Sequence, residues 1–364
     1  FLNKKNRFLI PFVIFLLLCI TSIAQNQDNQ TTYISQKLVK IDSLIAVKEF
    51  DKAEELINNT KNTFSFNSNS EEQLSLDFRS SQILFKKGNE KDALNNFLKG
   101  FEKLKSKPFS LLNIQYASEL AKVFANSQNY KRAIYYNKVA WKKSILLKDT
   151  VNITKSLIRL GSFYYAKDDL DSAKYYFRRV TYFSVTKKTE QRIANAFNNL
   201  GVIAQYEKKY NLARYRARQA LEIKENQKDS LGMAALTINI GNLYHFQDKY
   251  KQAINNYSEA LKSIFRDSTN DAMNMKRIIY ENLSVSYDSL SDYSNAYRNL
   301  TKYDSVNKKI IKAQLAENIA EIEAKYNLAL EEQKTEEEKS KTLRTQVLFY
   351  SLLFLTLTLF ILGV

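Results

Sequence analysis

The chain has 364 residues, 45% of them hydrophobic, with 7 Gly, 2 Pro and a formal net charge of +17 at pH 7. So few turn-forming residues exclude a strand-rich or α/β fold and leave long helices joined by short turns. One cysteine, Cys19, and one histidine, His245, exclude a disulfide framework, a Cys- or His-based metal site and a Ser-His triad.

At the N-terminus, Lys4, Lys5 and Arg7 precede an apolar run from Phe8 to Ile20, and Ser22-Ile23-Ala24 places small residues before Gln25. A basic start, a short apolar stretch and a small-residue site predict a secretory signal peptide over 1–24, followed by a linker over 25–31. An uncleaved anchor is the alternative. A lipoprotein reading through Cys19 fits less well, because Leu18 stands where a small residue is wanted.

From residue 32 the chain repeats itself. Leu160-Gly161-Ser162-Phe163-Tyr164 leads to Ala173; Leu200-Gly201-Val202-Ile203-Ala204 leads to Ala213; Ile240-Gly241-Asn242-Leu243-Tyr244 leads to Ala253. Each Gly precedes its Ala by 12 residues, and the repeats are 40 residues apart. The Ala register extends to Ala53, Ala93 and Ala133, and to Ala296 after a slip of three. A large apolar residue stands three before most of these: Phe50, Tyr130, Leu170, Tyr210, Tyr250 and Tyr293. Such spacing predicts helical hairpins in which Gly161, Gly201 and Gly241 let the first helix approach the second, with Ala173, Ala213 and Ala253 doing the same on the partner. One hairpin cannot bury its own apolar faces, so the hairpins must stack. Asp149, Asp229 and Asp267 read as N-caps of the helices that follow them.

In the best repeat, Gly241, Tyr244, Tyr250, Ala253, Tyr257 and Ala260 resemble the tetratricopeptide repeat (TPR). The resemblance covers about residues 32–305 and weakens where Ile41, Ser81 and Ser284 replace the Gly. It implies an all-α fold, an α-solenoid of about seven hairpins. The 40-residue period is similar to the longer repeats of kinesin light chain and of bacterial peptide-sensing regulators.

The seven glycines form no GxG pair, so nucleotide-binding loops are absent. No catalytic group, metal or cofactor is expected in these residues, and no nucleic-acid partner, since the basic residues form no arm or dense cluster. In TPR arrays first helices line a concave groove. Carried onto this sequence, the resemblance points to Lys155, Arg159, Tyr165, Asn195, Asn198, Gln205, Tyr206, Asn242 and His245 as groove residues. Polar amides and tyrosines suit recognition of a peptide backbone, and ordinary exposed helix positions are the alternative. Lys155 and Arg159 match two of the five positions of the TPR carboxylate clamp. Phe78, Gln82 and Glu119 stand at the other three, so a clamp is not implied.

Residues 306–346 form a charged helical neck. Leu315, Ile319, Ile322, Tyr326 and Ala329 keep a 3-4 spacing, a candidate seam for a homodimeric coiled coil, and from Gln333 to Ser340 the seam turns polar. A single charged helix packed on the last repeat is the alternative. Val347 to Val364 carries no charge and predicts a transmembrane helix rather than a core helix with a polar face. A leader, TPR array, Glu-Ile-Glu-Ala-Lys-Tyr neck (321–326) and single apolar helix resemble bacterial membrane sensors with a cytoplasmic histidine kinase or helix-turn-helix output domain. The resemblance implies a ligand-sensing periplasmic domain on the inner membrane, with a peptide or protein of the cell envelope as partner. A passive envelope scaffold is the competing expectation.

Overall fold

The computed structural model describes residues 32–64, 66, 70–105 and 107–362. The expected signal peptide and linker lie outside them. Among the described residues every regular element is a helix. The first is α1, 32–46. Then come α2 (Phe50–Thr63), α3 (Glu71–Lys86), α4 (Glu90–Lys103), α5 (Leu111–Asn126), α6 (Tyr130–Leu146) and α7 (Thr150–Ala166). They are followed by α8 (Leu170–Thr181), α9 (Glu190–Tyr206), α10 (Tyr210–Gln227), α11 (Ser230–His245), α12 (Tyr250–Ser263), α13 (Asn270–Asp288) and α14 (Tyr293–Leu362). Paired in chain order these are the expected hairpins. The described residues fall into two compact units, one up to Ile223 and one from Lys224.

The 40-residue period is visible in the backbone. Left-handed residues end the first helices at Lys48, Gly88, Gln128, Asp168, Lys208 and Asp248, and at Ser291 after the slip of three. The next residue donates its N–H to the carbonyl five back, as Asn89 does to Leu84 and Asp169 to Tyr164, both at 2.9 Å. This closes the helix C-terminus with a Schellman turn. At Asn89, Asn129 and Asp169 the same residue then accepts from the N–H three residues on and caps the second helix. One residue thus finishes one helix and starts the next, which keeps each connection to three residues. The large apolar residues Phe50, Tyr130, Leu170, Tyr250 and Tyr293 are the first residues of their helices. Asp149 and Asp229 cap α7 and α11 as expected. Asp267 does not cap α13. Thr269 does, and Asp267 accepts from the Thr269 N–H instead.

The alanine register is the core register: Ala53, Ala93, Ala133, Ala173, Ala213 and Ala253 are each fully buried. The glycines do not all act as expected. At Gly201 an added Cβ would lie 3.2 Å from the Ala213 carbonyl, a true backbone approach. At Gly161 and Gly241 it would instead strike a ring of the second helix, Phe177 at 2.5 Å and Tyr257 at 2.6 Å. These two glycines make room for aromatic side chains. Where Ser284 replaces the Gly, its hydroxyl donates to the Ala296 carbonyl at 2.9 Å and ties α13 to α14 across the same crossing.

In the second unit α14 runs unbroken for 70 residues. It begins as the second helix of the seventh hairpin, where Tyr303 and Val306 pack on the core around Ile279 and Leu283. It then continues through the neck without a break at 305/306 or 346/347. Beyond residue 310 its described side chains are exposed, so the neck does not pack on the last repeat. The transmembrane helix expected over 347–364 is not found among the described residues. None of their helices is long and apolar enough to cross a membrane, and the apolar run ends at Val364, outside them.

Candidate ligand-binding face

In the first unit, the first helices of successive hairpins touch one another: α3 meets α5, α5 meets α7 and α7 meets α9. Among the described residues the second helices α4, α6 and α8 make no contacts of that extent with one another. The first helices therefore line the inner side of this unit, and residues at one repeat position form a row across it.

One such row is Arg79, Glu119, Arg159 and Asn199. Arg79 is neutralised within the fold. Its Nε and Nη2 donate to both oxygens of Asp42 at 2.7 and 2.6 Å, and its Nη1 donates to the Ser75 carbonyl. Glu119, 9% exposed, faces Lys122 one turn along α5 at 3.6 Å. Arg159 donates Nη1 to the Ser118 carbonyl of α5 at 3.0 Å. Burial pulls its guanidinium below the usual arginine range, and the Glu119 charge opposes this.

Lys155 precedes Arg159 by one turn on the same face of α7. Its ammonium is held below the ordinary lysine range, first by burial and next by the Arg159 charge, with Glu119 opposing and Arg192 and Lys122 adding to the depression. Lys155 thus feels three other cations and one acid, and that acid, Glu119, pairs with Lys122. Arg192 donates to the Lys188 carbonyl.

Further along the same face, between α7 and α9, a cleft of about 70 Å³ is lined by Ser162, Tyr165, Asn199 and Val202 with the Phe177 ring beneath. Of the other groove residues expected on α9, Asn195 is exposed and accepts from Gln191 Nε2 at 3.1 Å. Asn198 and Gln205 are half-buried, and Tyr206 is exposed. A larger cavity, about 620 Å³, lies beside α2, α3 and α4. Of the two acids on its wall, Asp77 is held by Lys61 at 2.7 Å and Gln73 at 2.8 Å, and Glu102 pairs with Lys105 at 2.8 Å.

Asn242 and His245 belong to the second unit, and their polar groups join helices. Asn242 Oδ1 accepts from the Tyr257 hydroxyl at 2.7 Å and from Asn282 Nδ2 at 3.1 Å. His245 Nδ1 lies 3.1 Å from Ser286 Oγ, and its ring meets Tyr250 edge-on. Both sites are explained by packing of α11 on α12 and α13.

Sequence reasoning missed Lys122, Glu119 as part of a site, Arg192, Ser162, Asn199 and Val202. The signal was present: stepping 40 residues from Arg159 gives Glu119 and Asn199, and stepping from Ser162 gives Lys122 and Val202. Among the described residues no group of three or more His, Cys, Asp or Glu is placed to hold a metal ion.

Residues 192–263 match the tetratricopeptide repeat. Comparison with curated proteins gave no match. Among solved structures, the chain is similar to the apo form of RapI, with a TM-score of 0.63 and 17% identity over 76% of this chain and 77% of that one. It is also similar to the apo form of the quorum sensor NprR from B. thuringiensis, at 0.55 and 14%, over 83% and 97%. A third is a Signal Transduction ATPase with Numerous Domains protein with a tetratricopeptide repeat sensor from Pyrococcus horikoshii, at 0.63 and 14%, over 77% of this chain and 43% of that one. At these identities the likeness is one of fold: an all-helical, TPR-type repeat. No catalytic family matches, and the match to the repeat itself centres on α9 to α12.

Proposed function

We propose that the inner face of the TPR-type hairpins receives a peptide or protein segment, and that the chain is the sensing half of a membrane-anchored bacterial receptor. In this reading residues 1–24 are a leader, the hairpins stand in the periplasm, and Val347–Val364 enters the inner membrane. The output is a cytoplasmic histidine kinase or helix-turn-helix domain. The observation that carries the proposal is α14. The helix that closes the seventh hairpin is also the neck and the start of the apolar run, about 85 Å of unbroken rod from Val306 to Leu362. A rigid helix passes on any displacement of α13 against α14, which a jointed linker would absorb.

Two further features support it. Polar and aromatic groups of α5, α7 and α9 remain accessible on the inner face, as a peptide-binding surface requires. Along the neck Leu315, Ile319, Ile322 and Tyr326 stand 47–68% exposed in one stripe, which a second copy of the chain would cover. Single cysteines test the dimeric neck. In a chain lacking Cys19, Ile319→Cys and Ile322→Cys crosslink between chains in membranes, with a yield that changes when envelope extract is added. Absence of any crosslink overturns the dimer. Release of the chain from membranes by alkaline carbonate overturns the anchor.

A further inference from the structure

The charge of the first unit is concentrated on its outer side. Helices α6 and α8 and the part of α10 up to Ile223 hold eleven Lys or Arg and two acids, a net of +9, whereas the first helices α5, α7 and α9 hold four and two. The outer surface has a repeating order. Tyr135, Tyr175 and Tyr215 stand at one repeat position, 40 residues apart and 52–61% exposed, and each is followed three residues later by a cation, Lys138, Arg178 or Arg218. Neighbouring cations hold two of the rings. The Arg179 guanidinium lies 5.7 Å over Tyr175 and donates to its hydroxyl at 3.0 Å, and that of Arg216 lies 5.6 Å over Tyr215. Rings fixed in this way lose little freedom when a partner covers them. The opposite charge is in the neck. From Glu317 to Glu338 there are eight acids and two lysines, a net of −6. Glu317, Glu331 and Glu338 lie whole multiples of seven residues apart on one side of α14, with Ala320 and Ala324 on that side between them, and Leu315, Ile319, Ile322 and Tyr326 lie on the other. The described side chains of α14 beyond residue 310 are exposed, so no described residue of its own chain covers this acidic side.

We infer that the basic outer face of α6, α8 and α10 is a docking surface for the acidic neck of a second copy of this chain. The dimensions agree. The neck from Glu317 to Glu338 is about 32 Å long, and three neighbouring helices at about 10 Å each present about 30 Å. A neck laid across them sets its glutamates among Lys138, Arg178 and Arg218 and its alanines, which are small enough to let rings approach, against the tyrosines. Single exposed ion pairs are weak, so the contact depends on several of them together with the covered rings, and it loosens as salt rises. Each chain offers one surface of each kind, so the contact is heterologous and links chains beyond a pair. It takes the side of the neck that the proposed dimer seam leaves open, and it does not require that dimer.

The test uses the full chain in membranes of cells that express two differently tagged forms. Benzoylphenylalanine at Tyr135 or Tyr215 of one form is expected to crosslink to residues 317–338 of the other, and at Tyr165, on the inner face, it is not. Arg178→Glu with Arg218→Glu in the probe-bearing form is expected to cut the yield at least tenfold. Glu317→Lys with Glu331→Lys and Glu338→Lys in the other form is expected to do the same. With both charge reversals present, one in each form, the yield is expected to return to within about threefold of the parent, which a misfolded variant does not achieve. Absence of a crosslink to a second copy, crosslinks that map outside 317–338, capture of another polypeptide in its place, or failure of the paired reversals to restore the yield overturns the inference. Crosslinking through Ile319→Cys that persists while the Tyr135 and Tyr215 positions give none refutes this inference and leaves the proposed function standing.

Discussion

Gly161→Ala is a small change whose effect follows from one contact. The new methyl group would lie 2.5, 2.6 and 2.8 Å from three ring atoms of Phe177. That ring is 1% exposed and packed with Ala173, Leu200 and Ile203, so it can shift from the methyl only by disturbing those contacts, toward the cleft of about 70 Å³ that it also lines. Overpacking of this kind destabilises by about 1–3 kcal/mol, and the better helix propensity of Ala offsets about 1 kcal/mol. The net expectation is a loss of about 1 kcal/mol. Gly201→Ala differs: its nearest neighbour is the Ala213 carbonyl at 3.2 Å, which a shift of a few tenths of an ångström relieves. Its two effects nearly cancel, to within about 0.5 kcal/mol. Phe177→Leu alone costs about 1–2 kcal/mol in lost packing, but in the Gly161→Ala background it also removes the clash. Urea unfolding followed by far-UV circular dichroism reads all four proteins. The double variant is expected to lose about 1–3 kcal/mol less than the sum of the single losses, the overpacking term being relieved. Additive losses, or equal losses for Gly161→Ala and Gly201→Ala, would refute the assignment of Gly161 as the seat for a ring.

Four further outcomes follow from the turns, a cap and a buried hydrogen bond. Lys208 holds a left-handed conformation at φ 58°, so Lys208→Gly is expected to raise the unfolding free energy by about 0.5–1 kcal/mol. Gly88→Ala is expected to lower it by about 1 kcal/mol, although its Cβ would meet nothing within 4 Å, because φ there is 87°. Asp229 is pushed up by burial, but the Lys224 ammonium and the Gly232 N–H outweigh this and hold its carboxyl below the usual carboxylate range. A depressed carboxylate contributes stability above its unfolded pKa of about 4 and loses it as pH falls through the lower folded value. Asp229→Asn should therefore flatten the acid limb of a stability–pH curve and leave its neutral plateau lower. Asn242→Ala leaves the buried Tyr257 hydroxyl without its acceptor and should destabilise by about 1–3 kcal/mol in a thermal melt.

The fold was legible because a 40-residue period leaves several marks on the same chain. The alanines that recur in the sequence are the residues with no exposed surface, and the large apolar residues three before them open the second helices. Turn chemistry was less legible. Lys48, Gln128, Lys208 and Asp248 adopt the left-handed turn conformation with glycine standing only at Gly88, so composition hides where the turns fall. Asp267 misled because an Asp-Ser pair also occurs two residues ahead of the true cap, Thr269. For the proposed site, the resemblance points to the first helices and treats positions singly. Asn242 and His245 look free in a list of polar residues and are taken up by α12 and α13 in three dimensions. Lys155 and Arg159 stand among the groove residues that the resemblance implies, while Glu119 enters there only as a mismatch to a clamp. Its pairing with Lys122 and its charge on Lys155 of the next first helix come together only once the hairpins stack.

The account's central claim is that ligand lies on the inner face of the first helices, and photocrosslinking from single positions tests it most directly. Benzoylphenylalanine is placed at Tyr165 or Tyr206 on first helices and at Tyr175 or Tyr182 on the outer helix α8 or at its end, all of them exposed. In living cells, Tyr165 and Tyr206 are predicted to crosslink one common polypeptide, competed by the same peptide fragments of it, and Tyr175 and Tyr182 are predicted not to. Crosslinking of that polypeptide from the outer positions alone, or equally from all four, would contradict the account.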